Sequence, residues 1–89
     1  MKTKSGFEIE ICKDALDDWE LLEDLADLEN GNSGKIISVA RRFLGADGLT
    51  KLTEHCRTPE GRVPASAVEE ELGELFKLAR EDLGKEKNS

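Results

Sequence analysis

The stretch ALDDWELLEDLADLENG, residues 15–31, decides that the first half of the chain is helical. Leu21, Leu25 and Leu28 recur at intervals of four and three residues, which is the spacing of one face of an α-helix. The apolar residues cover a broad arc, so the helix is predicted to contact more than one neighbouring element. Asp14 is the predicted N-cap and Asn30-Gly31 the predicted C-terminal stop, which places the helix at about residues 14–28.

A strand is predicted before this helix, because apolar and polar residues alternate from residue 7 to residue 12. Phe7, Ile9 and Ile11 fall on one side, as expected for a half-buried strand. A single strand needs a partner. The candidates are a short stretch elsewhere in the chain, the residues around Arg62 and Val63, or a second chain.

Three further helices are predicted downstream. The second has helical apolar spacing from Lys35 and ends at Gly45, and a short third helix begins near Ala46 or Asp47. The last carries an apolar stripe that Gly84 terminates. The predicted fold is mainly α, with one short N-terminal β-strand or hairpin followed by a compact bundle of about four helices.

A chain of 89 residues is expected to form a single domain. The predicted helical domain covers residues 6–84, between a flexible N-terminus at 1–5 and a flexible C-terminal tail at 85–89. Apolar runs do not exceed two residues, so neither a transmembrane helix nor a signal peptide is expected. Cys12 and Cys56 are predicted to be reduced, half-buried thiols, with a bridge between them left open.

Acidic residues outnumber basic residues by 20 to 13, which gives a net charge of −7. This balance argues against binding to nucleic acid or to an anionic membrane surface. The charge is unevenly placed, because residues 1–29 carry 10 acids and 3 bases, whereas residues 30–62 carry 3 acids and 6 bases. An acidic first helix beside a basic second helix is consistent with intramolecular complementarity or with two interaction surfaces.

The acidic residues of the first helix form a stripe, which is the most distinctive local feature of the sequence. The stripe consists of Asp17, Glu20, Asp24 and Asp27. Like charges four residues apart slightly destabilise a helix, so the stripe is either a solvated face or a surface for a basic partner. Trp19 is expected to lie in the core, with an interface anchor as the alternative.

Catalytic and cofactor-binding patterns are not found in the sequence. His55 and Cys56 are adjacent, but neighbours on a helix point about 100° apart and cannot form a nucleophile–base pair. His55 is therefore expected to be a surface residue. The glycines do not form a phosphate-binding loop, and the acids do not have the spacing of a calcium loop. The sequence predicts a protein that is not an enzyme and holds no cofactor or metal.

Several short motifs resemble one protein family in their order along the chain. They are GFEIEI at 6–11, LDDWELLE at 16–23, RRFLG at 41–45, EHCR at 54–57 and EGRVP at 60–64, followed by a closing amphipathic helix with Leu75-Phe76. Together they span roughly residues 6–80 and resemble small tail-assembly chaperones of long-tailed, siphovirus-type phages and prophages of Gram-positive bacteria. The segment DGLT at 47–50 departs from the family's pattern, which affects the predicted start of the third helix.

The resemblance implies a non-enzymatic protein of the bacterial host cytoplasm that is absent from the mature virion. It implies binding to the phage tape measure protein, which the chaperone keeps soluble, and recruitment of tail tube subunits around it. Neither nucleic acid nor membrane is an expected partner, and a homo-oligomer is left open. The residues predicted to bind partners are Asp17, Trp19, Glu20, Asp24, Asp27, Arg41 and Arg42.

Two other functions remain as alternatives. The first is a structural subunit of the tail or connector, which would be found in purified virions. The second is a small acidic phage regulator that mimics DNA and blocks a host protein, since carboxylates spaced along a helix can imitate phosphates. The net positive charge of residues 30–62 argues against the second.

Overall fold

A computed structural model describes residues 1–11 and 14–87, with side chains as far as Glu81. The chain is mainly helical, as predicted. The helices are α1 at Trp19–Glu29, α2 at Lys35–His55 and α3 at Ala65–Lys87, and this part of the chain contains no strand. Among the described residues, no helix combines the length and the apolar character needed to cross a membrane.

A short β-strand or hairpin was expected at the N-terminus, and the structure has a small hairpin with a single β-bridge and no strand. Lys2 and Glu8 form this antiparallel bridge. Ile9 N–H donates to the carbonyl of Met1 at 2.9 Å, and Gly6 makes the turn with a φ of 94°. We call residues 1–9 the N-terminal hairpin. The predicted alternation holds, since Phe7 is buried between exposed residues, but the pairing is too short for a strand.

The partner of the alternating segment is the start of the chain, not the residues around Arg62 and Val63. Residues 1–5 were expected to be flexible. In the structure Thr3 is 4% exposed and donates its N–H to the carbonyl of Phe7 at 2.8 Å. The mobility of this segment stays a prediction, and Cys12 lies outside the described residues.

The N-cap of helix α1 lies four residues after the predicted cap. The Asp18 side chain accepts a hydrogen bond from Leu21 N–H at 3.1 Å, so Asp18 is the N-cap and the expectation for Asp14 is wrong. The preceding residues form a turn in which Asp17 N–H donates to the carbonyl of Asp14. The predicted end is confirmed, because Asn30 caps the helix and Gly31 has a φ of 100°.

Helix α2 combines the predicted second and third helices. Gly45 has φ 78° and ψ 166°, a conformation that only glycine adopts readily, and the helix changes direction there. Three helices with one kink therefore replace the four expected helices in the described residues. The change of direction falls at the residue that was predicted to end a helix.

Helix α3 is longer than expected. The turn at Thr58–Gly61 is confirmed, since Gly61 N–H donates to the carbonyl of Thr58 at 2.9 Å. The helix then runs from Ala65 to Lys87, so Gly84 does not terminate it. The predicted tail at 85–89 is thus helical up to residue 87, and residues 88–89 are outside the described part.

The core lies between the three helices and is covered at one end by the N-terminal hairpin. Phe43 of α2 stacks on Phe76 of α3 with ring centroids 4.1 Å apart. Aliphatic side chains supply most of the remaining packing, as the low aromatic content predicts. The buried apolar residues are Phe7, Ala15, Leu21, Val39, Ala40, Phe43, Leu52, Leu72, Leu75 and Ala79.

Candidate interaction surfaces

The acidic stripe of α1 faces α2, and its central carboxylate is buried. Asp24 is 8% exposed and accepts a hydrogen bond from the Ser38 hydroxyl. Arg42 Nε donates to the same oxygen at 3.2 Å, and Lys35 Nζ lies 3.6 Å from the other oxygen. The Ser38 hydrogen bond, followed by Lys35 and Arg42, holds the pKa of Asp24 below its ordinary value despite the cost of desolvation.

Two further carboxylates of the stripe also pair with α2. Glu20 Oε2 lies 3.1 Å from Arg42 Nη2, and Asp27 Oδ2 lies 3.9 Å from Lys35 Nζ. The stripe is therefore mainly a contact between α1 and α2, which corresponds to the intramolecular alternative. Asp17 and Arg41 are exposed and have no ion pair among the described residues, whereas Glu20 and Asp27 are exposed but paired.

The opposite side of α1 exposes large apolar side chains. Trp19 is 76% exposed and Leu22 is 52% exposed, so the expectation of a core tryptophan is wrong. Ala26, one turn further on, is also exposed. We call Trp19, Leu22 and Ala26 the outer face of α1. The broad apolar arc predicted from the sequence is thus divided between the core, represented by Leu21, and this outer face.

A second apolar surface lies where α2 meets α3. It is a groove of about 390 Å³, which we call the α2–α3 groove. Ile37 at its edge is 59% exposed. The groove is lined by Ile36, Ile37, Ala40, Leu49, Thr53, Val63, Ala65, Val68, Glu69 and Leu72. The helical apolar spacing of this segment does not show which apolar side chains stay exposed, so the sequence contains no signal for the exposure of Ile37.

Sequence reasoning missed a polar cluster that joins the N-terminal hairpin to α2 and α3. Glu71 is 8% exposed, and its Oε1 accepts hydrogen bonds from the hydroxyls of Thr3 and Ser5, both at 2.7 Å. His55 Nε2 lies 2.9 Å from the Ser5 hydroxyl. Because 68 residues separate Thr3 from Glu71, local sequence patterns give no signal for this cluster.

The geometry of this polar cluster fits a structural role rather than nucleophilic catalysis. The Ser5 hydroxyl donates its one hydrogen bond to Glu71, so in the hydrogen bond between Ser5 and His55 the donor is an N–H at Nε2. An imidazole that donates to the serine cannot accept its proton. The carboxylate also lies nearest to Nε2, at 3.9 Å, whereas a triad places it on the other ring nitrogen.

The neighbouring thiol is weakly acidic. Cys56 is half-buried and free, and burial, followed by the negative charge of Glu71, raises the pKa of its thiol. A raised pKa lowers the fraction of the reactive thiolate. Among the described residues, no group of three or more metal-ligating side chains is close enough to hold an ion.

A cleft lies between the N-terminal hairpin and α2. It has a volume of about 540 Å³ and is lined by both apolar and charged side chains, including Glu8, Asp47 and Lys51.

Comparison with protein-family models, curated proteins and solved structures finds no match for this chain. The exposed apolar surfaces on α1 and α2 are therefore the main structural basis for assigning a function.

Proposed function

We propose that the protein is a tail-assembly chaperone of a long-tailed phage or prophage of Gram-positive bacteria. In this role it binds and solubilises the tape measure protein and helps to recruit tail tube subunits. It acts in the bacterial host cytoplasm, is absent from the mature virion and has no enzymatic activity. The proposal rests on the motif order over roughly residues 6–80 and on the surfaces of the helical body.

The observation that carries the proposal is the exposure of large apolar side chains on a small helical body. Trp19, Leu22 and Ile37 are each more than half exposed. Contiguous apolar patches on a protein surface are typical of sites that bind other proteins. A protein that keeps a long apolar helical client in solution needs such sites, because it must cover the client's own apolar surface.

The charge of the chain supports the same role. Its net charge is −7, and net charge far from zero keeps proteins and their complexes dispersed. Part of the acidic charge is used inside the fold, because Glu20, Asp24 and Asp27 pair with basic side chains of α2. This internal pairing disfavours the DNA mimic, since a mimic needs its carboxylates free in a regular array.

A co-expression experiment tests the proposal. The chain is expressed with the tape measure protein encoded in the same phage genome, and the soluble fraction is compared with that from cells expressing an unrelated acidic helical protein of similar size. We expect the tape measure protein to be soluble and to co-purify only with this chain. If it aggregates equally in both cultures, the chaperone function is wrong.

Analysis of purified virions separates the chaperone from the structural alternative. We expect mass spectrometry of tails to detect the tape measure and tail tube proteins but not this chain. A stoichiometric amount of the chain in the virion would instead identify a structural subunit of the tail or connector.

A further inference from the structure

The outer face of α1 is an apolar stripe with a defined geometry. Trp19, Leu22 and Ala26 lie at positions i, i+3 and i+7, which fall on one side of a helix. At a rise of 1.5 Å per residue, the stripe extends for roughly 10 Å along the helix axis. We propose that this face binds an amphipathic helix whose apolar stripe is flanked by lysine or arginine residues.

The shape of the stripe favours a helix as the partner. Side chains three and four residues apart form ridges that pack into the grooves of a second helix. Trp19 is well placed to be the anchor, because it is 76% exposed and tryptophan is among the residues that contribute most to interfaces. Leu22, on the next turn, extends the contact along the partner.

The charges beside the stripe favour a basic partner. Helix α1 contains five acidic residues and neither lysine nor arginine. Glu23 and Glu29 fall on opposite sides of the stripe at 100° per residue, and both are exposed. Unlike Glu20 and Asp27, neither forms an ion pair within the described residues. A partner with basic residues on both flanks of its apolar stripe would complement this pattern.

The same charges disfavour two other occupants. A second copy docked through this face would bring Glu23 and Glu29 of both copies together, which costs electrostatic free energy. An anionic membrane would be repelled by the same carboxylates. Binding of a basic amphipathic helix to this face is independent of the proposed function. That the tape measure protein supplies this helix rests on the proposed function.

Fluorescence of Trp19 provides a direct test, because it is the only tryptophan in the chain. The probe is a synthetic peptide of about 18 residues, long enough to be helical, made of leucine and lysine in an amphipathic order. The control peptide has glutamate in place of lysine. We expect a saturable blue shift of Trp19 emission with the leucine–lysine peptide, weakening with added salt, and none with the control peptide.

Three variants show whether this face is responsible. Glu23→Lys combined with Glu29→Lys is expected to weaken binding of the leucine–lysine peptide roughly tenfold, since exposed ion pairs are lost and like charges are introduced. Leu22→Ser is expected to weaken it by a similar factor. Ile37→Ser is the matched control, because it removes an equally exposed aliphatic side chain from the α2–α3 groove. Circular dichroism verifies that each variant is folded.

Several results would overturn the proposal. Equal shifts with both peptides, or unchanged affinity in the Leu22 and glutamate variants, would show that the face does not select a basic amphipathic helix. A blue shift that grows with protein concentration, with dimers in sedimentation, would assign the face to a second copy. A shift with anionic vesicles alone would assign it to lipid. If the peptide fails but the tape measure protein still co-purifies, the chaperone binds through another surface.

Discussion

Two glycines in helices are expected to respond in opposite directions to the same substitution. Gly48 of α2 is buried where the N-terminal hairpin crosses the helix. A Cβ added there would lie 2.9 Å from Ile9 Cδ1 and 2.9 Å from Leu44 Cβ. Gly73 of α3 is exposed, and a Cβ added there would meet no atom within 4 Å. Gly48→Ala should destabilise the protein, and Gly73→Ala should stabilise it.

The magnitudes follow from two opposing contributions. Alanine is favoured over glycine inside a helix by about 1 kcal/mol, and both variants gain this contribution. Overpacking a core costs about 1–3 kcal/mol, and this cost applies to Gly48→Ala alone. Ile9 Cδ1 is the end of a flexible side chain and can move aside, but Leu44 Cβ is fixed to the backbone of α2. The free energies of unfolding of the two variants should therefore differ by about 1–3 kcal/mol.

Urea denaturation followed by far-ultraviolet circular dichroism measures this difference. Tryptophan emission is a poor probe of unfolding here, because Trp19 is already 76% exposed in the folded chain. The dependence on urea should be the same in the wild type and in both variants, which shows that only stability has changed. If Gly48→Ala is as stable as Gly73→Ala, the close approach of the hairpin to α2 does not exist as described.

Three further outcomes are expected. Gly45→Ala should destabilise the protein by about 1–3 kcal/mol in the same denaturation assay, because alanine adopts the φ of 78° at the kink only with strain; equal stability would mean that the kink is not required. Asp24→Asn should be less stable than the wild type near pH 7. Because the pKa of Asp24 is lowered in the folded protein, the ionised carboxylate stabilises the fold above its ordinary pKa of 3.8, and this stabilisation is lost as the pH falls through the folded pKa. The difference in stability between the wild type and the variant should therefore shrink below pH 3.8 in acid-unfolding curves. A difference that stays constant with pH would contradict the assignment. In a Cys12→Ser background, Cys56 should react with a disulfide reagent more slowly than an unhindered small-molecule thiol at the same pH, because burial and Glu71 raise its pKa. Glu71→Gln should speed the reaction. An unchanged rate in that variant would exclude the electrostatic contribution of Glu71.

The sequence predicted the helices well where local chemistry determines them. The end of α1 at Asn30-Gly31 and the turn at Thr58–Gly61 are set by neighbouring residues and are confirmed. The predicted start of α1 was wrong because Asp14 and Asp18 are both suitable N-cap residues, and in the structure it is Asp18 that accepts a hydrogen bond from Leu21 N–H. A choice between two similar caps depends on the path of the preceding chain, which local patterns do not contain.

The candidate site was predicted less well, because it depends on how helices face one another. The acidic stripe was recognised from its spacing, but its pairing with Lys35 and Arg42 depends on the packing of α2 against α1. Trp19 was expected in the core because large aromatic residues usually lie there. Its exposure follows from the orientation of α1, whose core side is filled by Leu21 and its neighbours.

The hydrogen bonds from Thr3 and Ser5 to Glu71 have a consequence for the order of folding. They join residues 68 and 66 positions apart, whereas α1 and α2 are consecutive elements in the chain. Contacts of high sequence separation form late, because closing a long loop costs conformational entropy. During synthesis the docking of the hairpin onto Glu71 must therefore wait until α3 has left the ribosome. Until then Thr3 and Ser5 lack the carboxylate that accepts their hydrogen bonds, and the hairpin is held only by its contacts with α2, such as that of Phe7 with His55.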